Sequence, residues 1–232
     1  MFPLMFWDPT YLLFALPALL LAFYAQAKVR SAYNKYLRVQ NWRGLTGFDV
    51  ARHLLQATGL HNVKVEGTRG RLSDHYDPRT KTLRLSDAVA NGPSIAAASI
   101  VAHEVGHALQ DARGYGPLKL RAGLVPVANV GSWLGPILFF LGLFFSPKLA
   151  WVGVGLFGLA AVFTLITLPV EFNASRRGLE LLQTYQLADG RQMAGAKKVL
   201  DAAALTYVAA LAQALSTLLY YVFLLTGFRR DD

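Results

Sequence analysis

The sequence predicts a mainly α-helical integral-membrane protein, with a small β-sheet beside one polar helix and three to four transmembrane helices. Three observations predict it. Only 16% of the residues are charged while 54% are hydrophobic, and the mean hydropathy is +0.34. Four apolar runs are each long enough to cross a bilayer as helix. Between the first and second runs lies a polar segment holding His103-Glu104-Val105-Gly106-His107.

The composition also excludes function classes. Soluble globular chains carry roughly 25% charged residues, so a compact soluble enzyme fits poorly. There are no cysteines, which rules out a disulfide framework, a thiolate metal site and a cysteine nucleophile. The formal net charge is +9. Nucleic acid is not the expected partner, because no nucleic-acid motif is present and the basic residues flank apolar spans. Such flanks orient membrane helices and attract anionic lipid, so the bilayer is the expected partner.

The elements follow in chain order. A transmembrane helix is predicted over about 9–27, within a first segment 1–27. Ala25-Gln26-Ala27 resembles a signal-peptidase site. Asp8 precedes the apolar run, however, and Lys28, Arg30, Lys35 and Arg38 follow it, so a retained helix is expected. Residues 28–123 form the expected catalytic segment, opening with a basic helical extension to about 43 that lies along the membrane surface. Thr46 and Asp49 predict a capping box for a helix to about 58, because hydroxyl and carboxylate each satisfy the other's free amide. Short strands are expected at about 62–66, 71–76 and 82–85, with Asp77-Pro78-Arg79-Thr80 as the turn between the last two. Asn91-Gly92-Pro93 breaks the chain. Pro93 suits the first turn of the motif helix, which runs to about 111 and stops near Gly114.

Beyond it, a transmembrane hairpin is expected within 124–170, with spans at 124–145 and 149–170 joined by Ser146-Pro147-Lys148. Residues 171–201 form a polar segment, with a helix over 172–187, and 202–232 a last membrane helix with its tail. Its Thr206, Gln213, Ser216 and Thr217 make it the least apolar span. If the N-terminus is outside, 28–123 and 171–201 are cytoplasmic and hold fifteen and five Lys/Arg. Only Lys148, Arg229 and Arg230 fall elsewhere. That bias predicts a multi-pass protein of the bacterial inner membrane whose polar unit faces the cytoplasm.

The chemistry centres on the motif. Two histidines four apart on a helix share a face and can reach one zinc ion at about 2.0–2.1 Å. Glu104 projects beside that face, placed to take a proton from water at the metal as general base. Gly106 costs a helix roughly 1 kcal/mol relative to Ala and leaves room for another backbone. A catalytic zinc needs a third protein ligand and an open position. Glu171, ending an apolar span on the same side as the motif, is a candidate. Pairing with Arg176 or Arg177 is its alternative use.

Six blocks stand out together: Leu45-Thr46-Gly47, Asp74-His75-Tyr76-Asp77-Pro78, 102–110, Leu118-Lys119-Leu120-Arg121, 168–177 and 196–200. In these blocks the chain resembles the neutral zinc metallopeptidases of the YugP type, a bacterial membrane family. That family is similar in turn to the membrane gluzincins of the HtpX and prenyl-protein-protease kind, so a zincin-like catalytic unit is implied. The resemblance implies His103, His107 and Glu171 as zinc ligands, and Glu104 as general base and proton shuttle. Ser175 departs from the wider pattern, which commonly places an Asp there to orient a ligand histidine. Ser175, Asn173 and Arg176 are the expected residues behind the ligands.

An oxyanion donor is also needed, and His75, Tyr76 and Tyr207 are candidates. Their competing uses are a turn histidine and, for Tyr207, an interfacial aromatic. Arg176 and Arg177 could instead face a substrate carboxylate or lipid headgroups. His53 and His61 read as surface residues, and Asn129 as an interhelical hydrogen bond. Asn173-Ala174-Ser175 matches a glycosylation sequon without meaning on a cytoplasmic face. The expected activity is zinc-dependent peptide-bond hydrolysis, on protein or peptide substrates at the membrane. The alternatives are a scaffold keeping a structural zinc, which has no use for Glu104, and a zinc hydrolase of a non-peptide amide.

Overall fold

The computed structural model describes residues 9–227, so Asp8 and the charged tail 229–232 lie outside the described residues. Seven α-helices and three strands follow in order: α1 Pro9–Leu37, α2 Gly47–Ala57, β1 Lys64–Thr68, β2 His75–Asp77, β3 Thr82–Ser86, α3 Asp87–Ala90, α4 Ile95–Ala112, α5 Gly116–Phe145, α6 Pro147–Thr184 and α7 Gly190–Gly227. Helices α1, α5, α6 and α7 are each long and apolar enough to cross a membrane. The chain divides into two compact units, one of 26–119 and 169–205, the other holding the remainder.

The first unit contains the motif. Its α4 is buried along nearly its whole length, because Ala96, Ala97, Ala98, Val101 and Val105 present small apolar surfaces on every side. The helix starts where the Ser94 hydroxyl accepts the Ala97 amide at 3.1 Å. Pro93 therefore stands just before the helix rather than in its first turn: Ser94 offers a side-chain acceptor for an end amide, which proline lacks. Helix α2 has the expected capping box, with Thr46 accepting from the Asp49 amide at 3.2 Å and Asp49 accepting from the Thr46 amide at 3.1 Å.

The sheet order is β1-β3-β2, with β1 parallel and β2 antiparallel to β3. Leu83 and Leu85 of the central strand are fully buried among Leu54, Val89, Val101 and Leu182. Burying each such side chain contributes about 1.5–3 kcal/mol. Strand β2 is shorter than the expected 71–76, since Asp74 bends off to accept the Ser86 amide at 2.7 Å. The turn that follows forms as expected: Asp77 accepts the Arg79 amide and the Thr80 hydroxyl, both at 2.9 Å.

Three boundaries differ from expectation. The basic extension ends at Leu37, and the chain then pairs Gln40 with Ser94. The third span and the expected polar helix 172–187 are one helix, α6, running through Pro169. Proline removes the amide that would bond the Leu165 carbonyl four residues earlier, and α6 continues through that loss. Just beyond it, the Val170 carbonyl accepts the Gln110 side-chain amide at 2.8 Å. The last helix begins at Gly190, twelve residues before the apolar run.

The second unit packs parts of the four long helices. Close approach of α5 and α6 depends on small residues, since a β-carbon on Gly131, Gly142 or Gly153 would meet the facing helix backbone. Phe139 stacks on Tyr221 at 3.9 Å between ring centroids, and Ser216 donates to the Phe14 carbonyl. Asn129 does not fill the interhelical role expected of it. It is exposed on α5, with its carbonyl accepting the Ser132 hydroxyl.

Candidate metal centre

His103 and His107 stand one turn apart on α4, their rings 4.8 Å apart and nearly perpendicular. Glu171 of α6 faces both. Its Oε2 lies 3.3 Å from His103 Nε2 and 3.4 Å from His107 Nε2. The three donor atoms fall within 4.8 Å of one another, and the Glu171 side chain is 2% exposed. The two helices can meet this closely because each offers a glycine. A β-carbon on Gly106 would stand 2.5 Å from the Ala174 carbonyl oxygen, and one on Gly178 would stand 2.9 Å from the His103 amide.

The other ring nitrogens are occupied, which directs the Nε2 atoms at a common point. His107 Nδ1 lies 2.9 Å from Gln110 Oε1. Gln110 spends its amide hydrogens on the Val170 carbonyl and on Asn173 Oδ1. Its oxygen therefore accepts from His107 Nδ1, which leaves the Nε2 lone pair for a metal. His103 Nδ1 lies 3.1 Å from the Ser175 hydroxyl. Two imidazoles and one carboxylate, buried and converging, are a donor set that fits zinc with a position left for water.

Glu104 lies beside this group, 8% exposed. Its Oε2 accepts the Tyr76 main-chain amide at 2.9 Å, which brings the outer edge of β2 to the carboxylate. Burial lifts its pKa above the ordinary carboxylate value, and the neighbouring histidines do not cancel the effect. For His107 burial acts downward, but the Glu171 hydrogen bond and the two carboxylates outweigh it and raise the pKa. The Tyr76 hydroxyl donates to Asp111 at 2.7 Å, and Lys81 binds the same carboxylate. Burial and that bond push the Tyr76 phenol beyond the usual tyrosine range.

The remaining candidates are placed as follows. His75 is exposed on β2, and its Nδ1 lies 2.8 Å from the Ser73 carbonyl, which can only accept. Asn173 links Gln110 to Arg177, whose Nε donates to it at 2.7 Å. Arg176 is exposed. Tyr207 is half-buried on α7 and belongs to the other unit. His53 and His61 are exposed. Sequence reasoning did not single out Gln110 or Arg177 for this network. Gln110 had one available signal, its position three residues after His107 on the same helical face.

A His-x3-His pair, a buried carboxylate from a second helix and a glutamate held beside them by the Tyr76 amide form a group that fits the zinc-peptidase class of metal centre. The chain belongs to the family described as "Putative neutral zinc metallopeptidase", which matches residues 11–226. It is 44% identical over 223 residues to the "Putative membrane protease YugP" of Bacillus subtilis (strain 168), covering 96% of this chain and 99% of that relative. No solved structure matches it.

Proposed function

We propose that the protein is a membrane-embedded zinc endopeptidase that cleaves membrane proteins or their membrane-proximal tails. The carrying observation is the approach of Glu171 Oε2 to both histidine Nε2 atoms, with Glu104 beside them. His103, His107 and Glu171 hold the ion. Zinc bound there supplies Lewis acidity, polarising the scissile carbonyl and making the attacking water more acidic. Glu104 takes the proton from that water and passes it to the departing amine. The Tyr76 amide holds the carboxylate in place.

An extended substrate fits along the outer edge of β2, where the Tyr76 amide is bound to Glu104 and the Tyr76 carbonyl is left to accept a main-chain hydrogen bond. Oxyanion stabilisation is assigned to His75, exposed on β2 with its ring oriented by the Ser73 carbonyl at Nδ1. The distribution of Lys and Arg supports a multi-pass topology in the bacterial inner membrane with the site on the cytoplasmic side. Relatedness to a protein called a membrane protease supports the same assignment.

The test is cleavage in proteoliposomes of a single-span substrate with a flexible cytoplasmic tail. The reading expects cuts within the tail that stop with o-phenanthroline and return with micromolar zinc. Cleavage that persists after zinc removal contradicts it.

A further inference from the structure

A groove of about 430 Å3 opens between α2 and β1, which forms the edge of the sheet opposite β2. Phe48, Leu60, Val63 and Val65 give it an apolar lining, and Arg52, Gln56 and His61 are its exposed polar groups. The groove therefore joins a helix face to the margin of a sheet. That is the geometry in which an extended peptide adds as a further strand and lodges alternate side chains in the groove.

The backbone of β1 is available for this. The Lys64 amide donates to the Lys81 carbonyl at 3.0 Å, and Lys64 is in register with Thr82. In a parallel ladder each residue's own N–H and C=O face the same neighbour, and the direction alternates along the strand. Lys64, Glu66 and Thr68 therefore face β3, while Val65 and Gly67 present their main-chain groups to the open edge. Gly67 is exposed, and a β-carbon there would meet nothing within 4 Å.

The local charge selects the guest. Arg52 and Lys64 are exposed cations. The acids nearest in sequence are committed elsewhere: Glu66 lies 3.6 Å from Arg84, and Asp49 is bound to the Thr46 amide and hydroxyl. We propose that the α2–β1 groove docks an extended, acidic segment of another protein, with apolar side chains in the groove beside Val65 and the alternate carboxylates on the opposite face, toward Lys64. The site is distinct from the metal centre and needs no zinc chemistry, so it would hold a protein beside the enzyme whether or not that segment is cut.

Fluorescence anisotropy on the full-length, detergent-solubilised Glu104→Gln protein tests this without cleavage. The probes are labelled ten-residue peptides, one alternating valine with glutamate and one alternating valine with lysine. The acidic peptide is expected to bind about tenfold or more tightly than the basic one, and Lys64→Glu to weaken it by a similar factor. Gly67→Pro removes one outward amide while leaving the β1–β3 ladder intact, as edge strands permit, and should abolish binding. If that variant misfolds by circular dichroism, N-methylating alternate residues of the acidic peptide makes the same test on the unaltered groove, with the same expected loss. Equal binding of the two peptides, or acidic-peptide binding indifferent to Lys64→Glu and to loss of the strand hydrogen bonds, overturns the proposal.

Discussion

Gly106 of α4 lies so close to Ala174 of α6 that a β-carbon on Gly106 would stand 2.5 Å from the Ala174 carbonyl oxygen. This contact brings Glu171, three residues before Ala174, to the two histidines. Helix propensity alone would favour Gly106→Ala by roughly 1 kcal/mol. Overpacking against a backbone that cannot yield costs about 1–3 kcal/mol, and that effect should win. The variant should melt earlier in detergent and bind zinc more weakly. Gly155→Ala, also inside α6 but with open space around its β-carbon, should melt no earlier than the wild type.

Gln110 fixes the ring of His107 through Nδ1 and is itself held by Val170 and Asn173. Gln110→Leu should weaken zinc binding about 10- to 100-fold, the usual loss when a ligand histidine's outer partner is removed. Ser175→Ala should cost less, because His103 loses one neutral hydrogen bond rather than a buried network. Titration against a competing chelator measures both.

The ease of reading these two residues differed. The histidine pair announces itself, because a spacing of four places both rings on one face. Glu171 stood out as a carboxylate ending an apolar run, and Ser175 because it lies four residues further along that helix. Gln110 carries no charge and no strong spacing signal, so only the folded contact with Val170 reveals it. The same limit explains the fold. The Thr46–Asp49 box is local and formed as expected, and the break between α5 and α6 is local too, though it is Ser146 alone because α6 already starts at Pro147. Helix α3 has four residues, too few for a periodic pattern. The continuity of α6 through Pro169 has no local signal, because a proline at the end of an apolar run reads as a helix boundary.

The Tyr76 hydroxyl is bound to Asp111 rather than turned to the metal centre, whereas its amide holds Glu104. Tyr76→Phe should therefore leave kcat within about threefold of wild type while lowering stability by about 1 kcal/mol, the worth of one hydrogen bond. A hundredfold fall in kcat with normal zinc content would instead assign the phenol to the oxyanion.

Asp77 gives a pH-dependent signature. The Thr80 hydroxyl foremost, with the Arg79 amide and the Arg84 guanidinium, lowers its pKa from 3.8 to about 2. A depressed carboxylate stabilises the fold fully above its unfolded pKa, and that contribution disappears as pH falls through the folded value. The melting-temperature gap between wild type and Asp77→Asn should thus be constant at neutral pH and shrink between about pH 4 and pH 2. A gap that widens on acidification has the wrong sign for this account.

The most direct measurement pairs zinc stoichiometry with peptide-bond cleavage in the purified wild type and Glu104→Gln. Both proteins should hold about one zinc per chain, because Glu104 is not a ligand. Cleavage should fall on the order of 10²–10⁴-fold in the variant, the range expected on losing a general base. Zinc bound by neither protein, or cleavage equal in both, would contradict the assignment of this centre as the catalytic one.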